Sequence, residues 1–264
     1  QLLLNHALSS EAAGRYEAAL GSYNSVLRKD PTNTKARDHR IAATFLMGDR
    51  LNSLQYLSEI PDRGFDQNYM LGVCELELGR PDQALAHLAV ATSQMPNYQA
   101  AIEAQAEALF LLNKQDQALL ALRSIPSGIG LSPRGEYNLG RIYNSREESE
   151  LAERHLRNAC RRQPKSAEFS LEQGRVYVAQ NRRRAALPYL AHAHRDRPDD
   201  YQISEEFVTS LIESHKIDEA KSVVADILNR NPDNASIWNA MSIHVKSTKD
   251  REAAIIHFRH GVEK

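Results

Sequence analysis

The sequence predicts an all-α solenoid of antiparallel helix pairs, and three regularities carry that prediction. A small residue recurs at Ala19, Ser53, Ala84, Ala118, Ala152, Ala186, Ala220 and Ala254, with six of the seven intervals at 34 residues and one at 31. An apolar residue follows each by four, in Tyr23, Leu57, Leu88, Leu122, Leu156, Leu190, Val224 and Phe258. A proline closes the unit at one phase in Pro31, Pro96, Pro164, Pro198 and Pro232. A fixed period of this length marks stacked helix-turn-helix units, none of which can bury its apolar face alone.

The period divides the chain into one solenoid domain, 1–264, of about eight units: 1–33, 34–64, 65–98, 99–132, 133–166, 167–200, 201–234 and 235–264. In the first unit the second helix opens on Gly14-Arg15-Tyr16-Glu17-Ala18-Ala19-Leu20 and stops at Lys29-Asp30-Pro31. The first helix of a unit is clearest in Leu139-Gly140-Arg141-Ile142-Tyr143, with related stretches Gln173-Gly174-Arg175-Val176-Tyr177 and Leu71-Gly72-Val73. These columns resemble the tetratricopeptide repeat family over essentially the whole chain. The resemblance implies a right-handed superhelix whose concave side is lined by the first helices and takes up peptides or proteins. Close crossing of paired helices demands small residues, so Gly140 and Gly174 are expected to face Ala152 and Ala186.

Departures from the pattern are local. In the second unit the apolar phase fits best as Ile41, Ala42 and Phe45, one residue later than strict spacing from Pro31. Its second helix is expected to end early at Ile60-Pro61, and the fourth unit does the same at Ile125-Pro126, altering the twist at both places. Pro188 falls inside a second helix and predicts a kink, whereas Pro81 sits in a first turn, where no N–H is needed. The last unit carries Trp238, Ile255 and Phe258 but no polar capping helix, and the chain opens without Met, so the expectation is a segment of a longer protein.

Composition sets the class and limits the chemistry. Of 264 residues, 42% are hydrophobic and 25% charged, and 33 Lys plus Arg against 34 Asp plus Glu give a net charge of −1. That balance weighs against nucleic acid and acidic membrane as global partners. Arg154, Arg157, Arg161, Arg162, Lys165 and Arg182 to Arg184 form a basic outer stretch, yet Glu147, Glu148, Glu150 and Glu153 interleave with it and no aromatic accompanies it. No apolar run reaches the length of a bilayer span. Cys74 and Cys160 stand far apart and read as buried small apolar residues. The close pairs His192/His194 and His257/His260 lack surrounding carboxylates or thiols. No phosphate loop or nucleophile elbow is present. The expectation is no catalytic residue, no metal, no cofactor and no small-molecule substrate.

Carried over from the family, the binding groove would display Tyr69, Val73, Glu103 and Glu107 in the first half of the chain. In the second half it would display Arg134, Tyr137, Asn138, Arg141, Glu172, Arg175 and Glu206. The first half is apolar with two acids; the second is strongly charged. Tyr137, Asn138 and Arg141 form the leading contact cluster, since a tyrosine and an arginine on adjacent turns beside an amide can grip a peptide. Two known subclasses do not fit. The carboxylate clamp of chaperone-binding members meets Leu4, Leu8, Asp38, Tyr69, Glu103 and Glu107 where Lys, Asn and Arg are required. The asparagine ladder of sugar-transferring members survives only at Asn5 and Asn138. The implied function is a scaffold holding a protein or peptide partner. Alternatives are a non-catalytic targeting arm of a larger enzyme, or an accessory protein of a bacterial envelope export or assembly system. Cytoplasm and periplasm are equally compatible.

Overall fold

The computed structural model describes residues 2–230, which form fourteen α-helices and no strand among the described residues. In chain order the pairs are α1 (Leu2–Ala12) with α2 (Tyr16–Lys29), α3 (Thr34–Leu46) with α4 (Arg50–Ser58), α5 (Phe65–Glu77) with α6 (Pro81–Gln94), and α7 (Gln99–Leu111) with α8 (Gln115–Arg123). Then come α9 (Pro133–Ser145) with α10 (Ser149–Arg162), α11 (Ala167–Ala179) with α12 (Arg183–Asp196), and α13 (Tyr201–Glu213) with α14 (Ile217–Arg230). Two compact units divide after Gly130, one holding α1 to α8 and the other α9 to α14. Within each unit every helix packs on its neighbours in the chain, and first helices also touch across pairs, α5 on α7 and α9 on α11. Trp238, Ile255, Phe258, His257 and His260 lie outside the described residues.

Local chemistry explains where the helices begin and end. Side chains of Asn33, Asp49, Ser132, Ser166 and Asp200 accept a hydrogen bond from an N–H of the first turn of α3, α4, α9, α11 and α13, satisfying a donor that the helix itself cannot. Pro81 and Pro133 stand at helix starts, where the missing N–H costs nothing. Second helices run to 14 residues, except α4 and α8, which have 9. Both short helices stop two residues before a buried isoleucine, Ile60 or Ile125, ahead of Pro61 or Pro126. Helix α12 runs continuously through Pro188. That proline is exposed, on the solvent side of the helix.

A column invisible to the apolar pattern governs the turn inside each pair. Gly14, Gly48, Gly79, Asn113, Glu147, Asn181 and His215 all have φ between 58° and 83° and recur at the repeat interval. In each turn the following residue closes back on a carbonyl five positions earlier, as in Arg15 to Ser10 at 2.9 Å, Arg80 to Glu75 at 2.8 Å and Lys216 to Leu211 at 2.9 Å. This left-handed helix ending suits glycine and asparagine; glutamate and histidine adopt it at a cost of about 1 kcal/mol.

The buried columns hold the pairs together. Ala19, Ala84, Ala118, Ala152, Ala186 and Ala220 are fully buried, as are Tyr23, Leu57, Leu88, Leu156 and Leu190. Each such leucine contributes about 2 kcal/mol by burial. The glycines face these leucines, and not the alanines as the sequence reading expected. A Cβ on Gly140 would lie 2.4 Å from Leu156 Cγ, one on Gly72 2.4 Å from Leu88 Cγ, and one on Gly174 2.8 Å from Leu190 Cδ2. The leucine branch point enters the hole left by the missing side chain, a tighter fit than two small residues abutting.

The register of the second repeat, α3 with α4, also needs correction. Its buried residues on α3 are Ala36, Ile41, Ala43 and Thr44, matching Ala101, Ala106, Ala108 and Leu109 of α7 position for position. Strict spacing therefore holds. Ala42 and Phe45, which suggested a shifted phase, are half-buried on the opposite flank of α3.

Candidate functional site

Once the packing columns are filled, each first helix presents one remaining flank, and these flanks differ between the two units. In the first unit α3 contributes Asp38, Ala42, Phe45 and Leu46 to a cleft whose other wall is Asp66, Gln67, Tyr69 and Met70 of α5, with Tyr98 at its edge and a volume of about 410 Å³. Leu46 is 60% exposed and Tyr98 40%. The rings of Phe65, Tyr69 and Tyr98 cluster: Phe65 and Tyr98 lie 4.8 Å apart edge to face, and Tyr69 and Tyr98 5.6 Å. Burial, followed by the proximity of Tyr98 and Glu103, holds the Tyr69 hydroxyl above its ordinary value. Val73 is half-buried, one turn further along α5.

The polar groups around this cleft are unevenly neutralised. Arg50, at the start of α4, lies over the Phe45 ring at 4.5 Å and donates to both carboxylate oxygens of Glu77 at 2.7 and 3.0 Å. His39 meets Glu11 at 2.9 Å. Glu103 on α7 is buried and accepts a hydrogen bond from Gln99 at 2.8 Å, whereas Glu107, one turn on, is half-buried.

In the second unit the first helices carry a ladder of charges that satisfy one another across pairs. Arg134 on α9 donates to Glu168 on α11 at 2.6 Å. Arg175 on α11 grips Glu206 on α13 through two nitrogens, the shortest contact being 2.7 Å, and approaches Glu172 on its own helix at 3.7 Å. Asn144 donates to Glu172 at 3.4 Å. These groups are roughly one-third exposed or less, apart from Arg134 at 40%, so the bidentate pair orders the surface more than it stabilises the fold. Beside the ladder lies a cleft of about 560 Å³ in which charged groups of Arg175, Arg183, Glu205 and Glu213 border apolar surface, including Val178 and Ala179. An Arg183–Glu213 ion pair spans its edge.

The leading cluster of the sequence reading divides here. Tyr137 is 4% exposed and Asn138 2%, so neither presents a surface. The Tyr137 ring stacks on Phe169 at 4.7 Å, filling the junction of α9 and α11, while Arg134 and Arg141 lie over it at 5.1 and 5.3 Å. Burial raises the Tyr137 hydroxyl above its ordinary range. Arg141 alone of the three remains half-exposed. Conversely, Phe45, Leu46, Met70 and Tyr98 line a cleft and are not among the expected groove residues. The signal for Phe45 lies in the apparent phase slip of the second repeat, an apolar residue on α3 beyond those its core requires.

Elsewhere, burial pushes the thiols of Cys74 and Cys160 up to about 11, and the two are not joined. Cys74 is fully buried, but Cys160 is only partly so. His192 and His194 turn to separate partners, Ser170 and Ser204, each at 2.9 Å. Arg157 and Arg182 of the basic stretch both pair with Glu153. No helix of the described residues is long and apolar enough to cross a membrane.

Two stretches, residues 1–33 and 177–242, match tetratricopeptide repeat family models. Among solved structures, the Cut9–Hcn1 hetero-tetramer of the APC/C is similar at 16% identity and TM-score 0.62, over 99% of this chain and 52% of that one; this chain thus spans about half its length. A tetratricopeptide repeat protein from Parabacteroides merdae aligns over 98% of this chain and 97% of its own, at 12% identity and TM-score 0.60. PilW, described as a type IV pilus biogenesis factor, aligns over 80% and 97% at 19% identity and TM-score 0.60. At these identities the likeness is one of fold, and it agrees with the succession of helix pairs. The described residues form an all-α array of helix pairs with the fold of tetratricopeptide repeat structures, and two stretches of the chain match models of that repeat.

Proposed function

We propose that this protein acts by holding a segment of another protein along the flank of its first helices, without catalytic chemistry of its own. The observation that carries this reading is the cleft between α3 and α5, where Phe45, Leu46, Tyr69, Met70 and Tyr98 keep apolar surface in contact with water although the core columns are filled. Grouped apolar surface of this kind is normally retained for a partner. Tyr69, Val73 and Glu107 are the contact residues on this side. In the second unit Arg134, Arg141, Glu172, Arg175 and Glu206 offer ordered charges, and a partner there has to exchange existing ion pairs for its own.

Site-specific photo-crosslinking tests this. A crosslinking amino acid at Leu46 or Glu107 is expected to trap a partner in the cells that make this protein, and one at Ala89, exposed on the second helix α6, is not. Equal trapping at all three positions would exclude the first-helix flank as the docking face.

A further inference from the structure

The chemistry of the α3–α5 cleft narrows what it can hold. We infer that its occupant is a peptide segment presenting one bulky apolar side chain with a lysine or arginine within two residues of it. This rests on the reading of the first-helix flank as a docking face, and adds the identity of the ligand class.

The apolar part follows from the walls. Ile41 forms a buried floor at 1% exposure, Phe45 and Met70 close the sides, and Leu46 and Tyr98 stand exposed at the rim. A space of about 410 Å³ takes an aromatic or leucine-sized side chain together with part of the backbone that carries it. Covering Leu46 and Tyr98 removes apolar surface from water with little rearrangement, since the Phe65–Tyr69–Tyr98 rings already brace one another.

The basic part follows from the rim. Toward the starts of the two helices stand Asp38, the fifth residue of α3, and Asp66, the second of α5, both exposed. Asp38 meets the neighbouring Arg37 through a single 3.5 Å contact, and Asp66 has no ion-pair partner among the described residues. Toward the helix ends the charges are consumed, with Arg50 held on both oxygens of Glu77. His39, which also lines the cleft, is engaged by Glu11. One end of an apolar cleft is thus negative and the other neutral. Complementarity calls for an apolar anchor with a cation on one side, and rejects an acidic flank.

The test presents the full chain to a displayed library of random twelve-residue peptides, followed by fluorescence anisotropy of the enriched sequences. Expected are peptides combining Phe, Tyr, Trp, Leu, Ile or Met with a nearby Lys or Arg. Leu46→Ser, and separately Asp38→Asn with Asp66→Asn, should each weaken them by about five- to tenfold. Leu46, Asp38 and Asp66 are exposed, and unchanged far-UV circular dichroism confirms that these variants fold. An Asp38→Lys/Asp66→Lys variant should select acidic flanks instead. Peptides without a basic residue, or indifferent to the aspartates, overturn the inference. Peptides indifferent to both sets but weakened by Val73→Thr or Glu107→Gln overturn it and leave the docking face standing. Peptides insensitive to every one of these changes, or no enrichment at all, overturn both. Self-association of the chain that Leu46→Ser abolishes would assign the cleft to a second copy and also overturn it.

Discussion

The first-helix flanks of the two units solve opposite problems. Phe45, Leu46, Tyr69 and Asp66 leave apolar surface and acid charge unanswered, whereas Arg134, Glu168, Arg175 and Glu206 answer one another. A charged surface is therefore not the same as an available one. Ion pairs already made must be broken before a partner can use them, and their replacement returns little net energy. An open apolar cleft carries no such opposing term.

The contrast continues into the core, and the largest predicted effect lies there. Glu75 is 6% exposed on α5, in the buried column that the second unit fills with Tyr143 and Tyr177, and its Oε2 has no hydrogen-bond partner. Burial raises its carboxyl from 4.5 to about 7, opposed by Arg80 and Arg63. The folded state thus holds the proton more tightly than the unfolded state. The stability this represents is fully present below about pH 4.5 and is lost as the pH rises through about 7. Urea unfolding of Glu75→Gln at pH 8 should show a gain of roughly 1–3 kcal/mol that shrinks toward pH 5. His87, whose Nε2 lies 3.6 Å from Glu75, is shifted downward by burial and then by Arg63, so it works in the opposite sense and lowers stability as the pH falls below 6.5. A pH-independent gain would mean that folding leaves the Glu75 carboxyl unshifted.

Next in size is Gly140→Ala. The added carbon meets Leu156 at its branch point, so overpacking should outweigh the better helix propensity and cost about 1–2 kcal/mol. Ala106→Gly on α7, at the same position in the first unit, should cost up to about 1 kcal/mol for the opposite reason, a lost methyl and a looser helix. If both changes were neutral, the glycine–leucine fit would not distinguish these pairs.

Smaller effects separate the surfaces. Glu147→Gly should stabilise the chain by about 0.5–1 kcal/mol by relieving its left-handed backbone, while Gly14→Ala should destabilise it by about 1 kcal/mol, both read from thermal unfolding. A double-mutant cycle of Arg175→Ala and Glu206→Ala should give a coupling of about 0.5–1 kcal/mol that falls in 0.5 M salt. A salt-independent coupling would show that the ladder is more deeply shielded than its exposure suggests.

Much of this architecture was legible because helix pairing writes itself into the sequence as fixed columns. Ala152 and Leu156 could be assigned to the core from spacing alone. Orientation within a column was harder: small residues at Gly140 and Ala152 suggested mutual contact, and only the crossing geometry shows that Leu156 takes the space. The flank was least legible, because a tyrosine reads alike whether it grips a ligand or plugs a helix junction. Tyr137 does the latter through Phe169, a residue 32 positions away in sequence that periodicity alone does not place against it. Phe45 erred the other way, an apolar residue credited to the core when strict register had already filled it with Ile41 and Thr44. The left-handed column went unread since glycine, asparagine, glutamate and histidine share no side-chain property.

That column has a practical corollary. Because backbone groups alone close these turns, the side chains of Asn113, Glu147, Asn181 and His215 take no part in the closing bonds, and all four are exposed. Within the second unit, residues 147, 181 and 215 therefore form three equivalent marks at a constant interval along the stack. Dyes or spin labels attached there would make a built-in ruler, reporting how far neighbouring repeats extend or compress when a partner is loaded.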